Sequence, residues 1–412
     1  MYSTTIGLEI HVELNTKSKM FCSCANDPNE SHPNVNVCPV CMGHPGTLPT
    51  INEEAVKKVL KVGLALNCQI NKHSRFDRKN YFYPDLPKGY QISQYYQPFC
   101  KEGSLSIPFK HALDHLQAST KRISIKEIHL EEDTGKLFHF PGKGYSLIDF
   151  NRAGVPLMEL VTRPDIHSAK EARLFAQELQ LILRYLGVSD ADMEKGQMRV
   201  EANVSVSLNP NFLGTKTEIK NLNSFRSLEE AINYEVARQI EVLQQGGEVV
   251  QETRGWNQAQ KKTIPQRSKE MAFDYRYFPE PDLPPLVLSE EYLQAIKAEI
   301  PEMPQQKRER LKREYSLQSN EIEVFVRNKD LGEYFEKVVS ELPSNLSPEE
   351  LKKMTRLCLN YILTDLVALL KDASVEGEDF LITPENFAEL VTLIYLSLIH
   401  ISEPTRPLYI SY

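Results

Sequence analysis

The chain opens on a strict alternation. Over Ile6–Leu14 the residues Ile6, Leu8, Ile10, Val12 and Leu14 interleave with Gly7, Glu9, His11 and Glu13. A period of two predicts a half-buried strand whose apolar side faces a core and whose acidic side does not. A second alternation, Met198–Leu208, sets Val200, Ala202, Val204 and Val206 against Arg199, Glu201, Asn203 and Ser205. Between them Gly154–Asp165 holds an almost unbroken apolar run, Val155–Val161, interrupted by one carboxylate, Glu159. Helical periodicity takes over in Glu53–Leu66 and Ser168–Leu186. Prolines crowd Phe278–Leu293, where Ser289 offers an N-cap followed by acids. From there to about Leu393 the pattern is helical, Leu351–Leu370 included. This predicts an α+β chain, with a sheet-rich domain over 1–290 and a helical one over 291–395.

Length and charge narrow the classes. A chain of 412 residues has room for two or three domains and needs no staples to fold. Its 41% hydrophobic and 25% charged content is that of a soluble globular protein. Met1–Leu14 mixes Glu and His into its apolar residues, unlike a signal peptide or a spanning helix, so no membrane anchor and a cytoplasmic location are expected. With 48 basic and 56 acidic side chains the net charge is −8, which disfavours long nucleic acid such as DNA and leaves room for a small RNA partner. Arg75–Asp85 and Gln306–Glu314 are locally basic, and solvated faces read the same way. Leu396–Arg406, 'LSLIHISEPTR', resembles a translated sequencing-library adapter. The segment 396–412 is therefore expected to be an artefact replacing the natural tail.

Candidate chemistry lies in cysteines and carboxylates. Cys22, Cys24, Cys38 and Cys41 form C-x-C followed by C-x-x-C, a spacing suited to a closed structural zinc site rather than disulfides. Cys68, Cys100 and Cys358 are isolated and read as core fillers. Glu9 and His11, about 6.6–6.8 Å apart along one strand face, could share a divalent ion. In Glu127–Lys136, Glu131 and Asp133 share parity with His129, whereas Glu132 shares it with Ile128 and Leu130; a bulge near the turn would re-aim one of them. Glu159, set in an apolar run, needs a cation or a base such as Arg152 or Arg163. The row Arg199, Glu201, Asn203 could hold phosphate and orient a ligand. The chain has no Walker phosphate loop, no G-x-G-x-x-G turn and no G-x-S-x-G elbow. What remains suits Mg²⁺ bridging protein acids to phosphates.

In order, 'IGLEIHVEL', 'FDRKNYFYPDLPKGYQISQY', 'HLEEDTGK', 'DFNRAGVPLMELV', 'GTKTEIKNLNSF' and 'DYRYFPEPDLPPL' closely resemble the B-subunit family of aspartyl/glutamyl-tRNA amidotransferases, from Ile6 to about Leu393. The resemblance implies a glutamine-synthetase-like cradle built on antiparallel sheet. It also implies ATP-dependent phosphorylation of the side-chain carboxylate of misacylated Asp-tRNA(Asn) or Glu-tRNA(Gln). Ammonia would come from the glutaminase site of an A subunit, with a C subunit completing a heterotrimer. By the same resemblance His11, Glu132 and Glu159 match magnesium ligands, and Glu9 an acid beside them. Lys79 and Tyr81 match positions near the ammonia route. Arg199, Glu201 and Asn203 line the cavity, and Arg152 joins Arg199 as a candidate for ATP. Two rivals keep the same residues: a carboxylate–amine ligase acting on a free small molecule, and a nonenzymatic zinc-bearing RNA-binding scaffold.

Overall fold

The computed structural model describes residues 2–109, 119–140, 142–268, 275–370, 374–375 and 380–398. Asp274 and residues 399–412, which include most of the adapter-like segment, lie outside the described residues. The chain forms two compact units, Met1–Pro301 and Glu302–Tyr412.

The first unit is organised by a nine-stranded sheet. Its strands are β1 Ser3–Glu13, β2 Gln69–Ile70, β3 Cys100–Phe109, β4 Ser119–Glu132, β5 Pro156–Thr162, β6 Met198–Ser207, β7 Thr217–Leu222, β8 Glu252–Asn257 and β9 Lys262–Ser268. They lie in the spatial order β9-β8-β7-β6-β1-β5-β4-β3-β2. The alternations of the sequence are the reason β1 and β6 sit near the middle: Ile6, Leu8, Ile10 and Val12 of β1 and Val200, Ala202 and Val204 of β6 are all buried. The sheet is mixed rather than antiparallel throughout, because β7 and β8 run parallel. Their connection holds α3, Phe225–Gln244, the kind of crossover a parallel pair needs.

One face of this sheet is covered by helices and the other is not. α1 (Glu53–Ala65) packs on β3 and β4, α2 (Ala169–Tyr185) on β3, and α3 on β6 and β7. Each starts on a side-chain cap: Asn52 accepts from the Ala55 N–H, Ser168 from Glu171 and Ser224 from Ser227. Ser289 caps α4, Glu290–Ala298, as the sequence predicted. A smaller sheet, Asp77–Asn80 between Tyr90–Ser93 and Phe278–Pro279, brings the basic segment and the Pro-rich segment together. Tyr90–Ser93 packs against β4.

The second unit is helical among its described residues: α5 Pro304–Tyr315, α6 Ser319–Arg327, α7 Lys329–Ser340, α8 Pro348–Tyr361, then a π-helical turn Ile362–Leu366 leading into α9, Val367–Leu370, and finally α10 Pro384–Tyr395. Phe325 and Phe335 stack at 4.6 Å in its core. The basic run Gln306–Glu314 is paired and only partly solvated: Lys307 is buried, Arg310 donates to Glu302 and Glu336, and Arg308 to Glu323. Among the described residues no helix is long and apolar enough to cross a membrane.

Candidate active site

Register builds the site. His11 of β1 lies opposite Glu159 of β5 on one side and Arg199 of β6 on the other, and Glu159 lies opposite His129 of β4. Directly paired residues share a face, so these four side chains form one row across the sheet on the side away from α1, α2 and α3. The next row pairs Glu9 with Glu201, and the one beyond it Gly7 with Asn203.

His11 is the focus of the acids. Its Nε2 lies 3.8 Å from Glu159, 3.9 Å from Glu9 and 3.9 Å from Glu131. Burial, with Arg199 adding to it, holds the imidazole down at about 3, so the ring is neutral and could act as a ligand. Burial and then Glu131 push Glu159 up to about 8, and burial and Glu201 raise Glu9. Carboxylates raised this way are crowding one another, and a cation among them would relieve the repulsion. Ligand atoms of Glu9, His11 and Glu159 all lie within 4.8 Å of one another. Octahedral ligands about 2.1 Å from Mg²⁺ would stand roughly 3–4.2 Å apart, so small side-chain movements bring these residues onto one ion. The buried Asn203 Oδ1, on the same face, has no hydrogen-bond partner among the described residues.

Glu132 is not in this group. No bulge occurs near the turn: β4 pairs regularly with β5 from Glu127 to Glu132, and the one shift falls at Val161/Thr162, opposite Lys126. Parity therefore holds, Glu131 stays with His129, and Glu132 stays with Leu130. There the Glu132 carboxylate accepts from Lys88 Nζ and from the Ile92 N–H at 2.9 Å. Glu131 accepts from Ser93 Oγ at 2.7 Å and leaves its other oxygen toward His11.

Cations ring the acids. Arg199 Nη2 donates to Asp133 at 2.5 Å, and Arg152 Nε lies 3.6 Å from the same oxygen. Burial would raise Asp133, but Arg199 and Arg152 overcome it and hold the carboxyl at about 2. Arg152 also donates to the Thr134 and Gly135 carbonyls and lines a cavity of about 270 Å³ with Glu13, Lys136 and Lys195. Burial, then Asp133, raises Glu13 to about 7. On the other side Lys220 donates to Glu201 at 2.8 Å and lies 3.7 Å from Glu218. Lys79 points its Nζ at the ring of Tyr275, 5.0 Å from the centroid, and at Tyr81, 5.8 Å away. It forms no ion pair or hydrogen bond among the described residues. Tyr81 is raised by burial and then by Glu131, and Tyr277 by burial, Glu131 and Glu159, so both hydroxyls keep their protons.

Of the residues singled out from sequence, the fold brings together Glu9, His11, Glu159, Arg199, Glu201 and Asn203, with Lys79, Tyr81 and Arg152 at the margins. Asp133 and Glu13 lie in the acidic stretches noted from sequence, whereas Lys88, Glu218 and Lys220 were not singled out. The alternation Thr217, Glu218, Ile219, Lys220, buried at Thr217 and Ile219, was the available signal for two of them. The four knuckle cysteines are free thiols whose sulfurs lie within 4.8 Å of one another, compared with about 3.8 Å for thiolates 2.3 Å from a tetrahedral zinc.

Known proteins resemble this chain over most of its length. The family model described as "GatB/GatE catalytic domain" matches residues 4–294. The B subunit of the aspartyl/glutamyl-tRNA(Asn/Gln) amidotransferase of Thermotoga maritima is 48% identical over 400 residues, covering 95% of this chain and 79% of that protein. Its counterparts in Thermodesulfovibrio yellowstonii and Carboxydothermus hydrogenoformans are 48% and 44% identical, over the same shares of each chain. The sheet face with its row of acids thus falls inside the matched region, and the chain belongs to the GatB family of tRNA amidotransferase B subunits.

Proposed function

We propose that this chain carries out the carboxylate-activating half of tRNA-dependent amidation: ATP phosphorylates the side-chain carboxylate of misacylated Asp-tRNA(Asn) or Glu-tRNA(Gln), and ammonia displaces the phosphate. The single observation that carries the reading is the group formed by His11, Glu9, Glu131 and Glu159 on an open sheet face flanked by Arg199, Arg152 and Lys79. A carboxylate is a poor electrophile until an oxygen becomes a leaving group, and that transfer needs positive charge on the phosphoryl oxygens. Bound at His11, Glu159 and Glu131, with Glu9 beside them, Mg²⁺ would supply part of that charge. Arg199 and Arg152, fixed by Asp133, supply more, and Arg152 does so from the lining of the 270 Å³ cavity, which we assign to the nucleotide phosphates. Lys79, without an ion pair among the described residues, would hold an anion, and with Tyr81 borders the path we assign to ammonia.

The open face would act as a cradle for the acceptor end of the tRNA, and the zinc knuckle would be structural. A glutaminase A subunit and a small C subunit complete the working enzyme in this reading. The scaffold alternative leaves the crowded, raised carboxylates without a use. The small-molecule ligase alternative predicts amidation of free aspartate or glutamate. The test is reconstitution with A and C subunits, glutamine, ATP, Mg²⁺ and misacylated tRNA. Glu159→Gln should abolish amidation and leave glutamine hydrolysis measurable; wild-type amidation by that variant, or turnover of free amino acid without tRNA, would overturn the assignment.

A further inference from the structure

Lys19 is fully buried, at 0% exposure, beside the cysteine knuckle. Its Nζ meets two acceptors, the Phe150 carbonyl at 3.3 Å and Cys41 Sγ at 3.9 Å. Among the described residues it has no carboxylate partner. Several other buried or half-buried cations of this unit are matched with acids, Lys88 with Glu132, Arg199 with Asp133, Arg78 with Glu280 and Lys121 with Glu171, and Lys79, which is not, lies over the rings of Tyr275 and Tyr81. An ammonium taken out of water costs several kcal/mol unless a nearby charge compensates it. One carbonyl and a single sulfur 3.9 Å away do so only in part. Four thiolates on a divalent zinc carry a net charge of −2, and one of those sulfurs would be Cys41.

We propose that Lys19 is the counter-cation of a zinc tetrathiolate at Cys22, Cys24, Cys38 and Cys41, and that it ties the metal's charge to the turn carrying Arg152. The inference rests on the zinc reading above and adds a residue to it. The link to the turn is physical. Lys19 bonds the Phe150 carbonyl, and Gly154 lies so close that a Cβ there would stand 3.4 Å from Cys41 Cβ and 3.5 Å from Lys19 Cδ. The loop between the cysteine pairs is bonded to the same segment: Asn34 donates to Asp149 and accepts from the Phe150 N–H, while Asn151 accepts from Asn36 and donates to the His32 carbonyl. Arg152 follows one residue later.

The test is zinc competition against a chromophoric chelator on the full chain, comparing wild type with Lys19→Met, Lys19→Gln and Lys19→Arg. Losing a charge partner just outside the ligands should weaken zinc binding about 10–100-fold in the Met and Gln variants and leave the Arg variant near wild type. Gln keeps a donor for the Phe150 carbonyl, so a Gln variant that binds zinc like wild type would show that the hydrogen bond, not the charge, matters, and would overturn the proposal. So would an unchanged affinity in the Met variant. Wild-type protein that takes up no zinc would instead remove the zinc reading itself. A second measurement reads the sign of a stability change. In zinc-loaded protein Lys19→Met should lower the melting temperature; with all four knuckle cysteines changed to serine it should raise it, because the ammonium then has no anion. The same sign in both backgrounds refutes the charge role.

Discussion

Removing one of the successive acids Glu131 and Glu132 at a time tests the site more sharply than any other change. Glu131 faces His11 at 3.9 Å, while Glu132 is turned away and paired with Lys88. Ligand binding to the folded state stabilises by RT ln(1 + [L]/Kd), about 2.7 kcal/mol when Mg²⁺ is at one hundred times Kd. For a folded unit this large, roughly 2 °C per kcal/mol gives a rise in melting temperature of about 5 °C. Glu131→Gln and Glu159→Gln remove a carboxylate from the group. If that weakens Mg²⁺ binding at least tenfold, the remaining stabilisation is about 0.4–1.4 kcal/mol, or roughly 1–3 °C. Without Mg²⁺ both variants should be no less stable than wild type, because they relieve repulsion among crowded acids. Glu132→Gln should behave in the opposite way. Its side chain is 4% exposed and that of Lys88 7%, so stranding the lysine should cost about 3–5 kcal/mol while the Mg²⁺ shift stays near 5 °C. Differential scanning fluorimetry with and without Mg²⁺ measures both quantities. Loss of the shift in Glu132→Gln together with its retention in Glu131→Gln would refute the argument from strand parity.

Three further outcomes follow from single contacts. Arg78 donates two bonds to the buried Glu280, at 2.7 and 2.8 Å, and stacks 4.2 Å over Tyr90; Arg78→Ala should lower stability in urea unfolding by about 3–5 kcal/mol. Gly154 holds φ at +89° against the knuckle, so Gly154→Ala should cost about 1–2 kcal/mol in the same assay. Arg199→Ala should leave Asp133 with Arg152 as its remaining close cation and cut amidation in the reconstituted complex without changing glutamine hydrolysis, which assays of the two half-reactions separate.

How much was legible in the sequence depended on what each residue needed. β1 and β6 were readable because one face is buried and the other is polar at every second position, so periodicity put Glu9 with His11 on one strand face and Arg199 with Glu201 and Asn203 on another, while the resemblance brought the two rows to one cavity. The helix starts were equally readable: Asn52, Ser168 and Ser289 cap where the pattern turns helical. Glu159 stood out because an apolar run contained it. Glu131 and Glu132 could not be separated that way, since both strand faces are buried at that point and the resemblance favoured the acid whose parity pointed to the core. The partner of each acid was also out of reach. Lys88 comes to Glu132 from 44 positions earlier in the chain, and Arg199 to Asp133 from 66 later. The parallel pairing of β7 and β8 was hidden for a related reason, because strand direction is set by the helix between them and leaves no mark on alternation.

The regular pairing of β4 with β5 between the bulge at Lys126 and the turn has a consequence for how this gene can vary. Over Glu127–Glu132 the strand works as a reading frame, in which each residue's role is assigned by counting from the bulge. Substitutions change one letter. Deleting a single codon within it would carry Glu132 to the face of His11, turn Glu131 to the buried side, and invert every side chain between the deletion and the turn. Natural relatives should therefore differ here in spelling far more readily than in length.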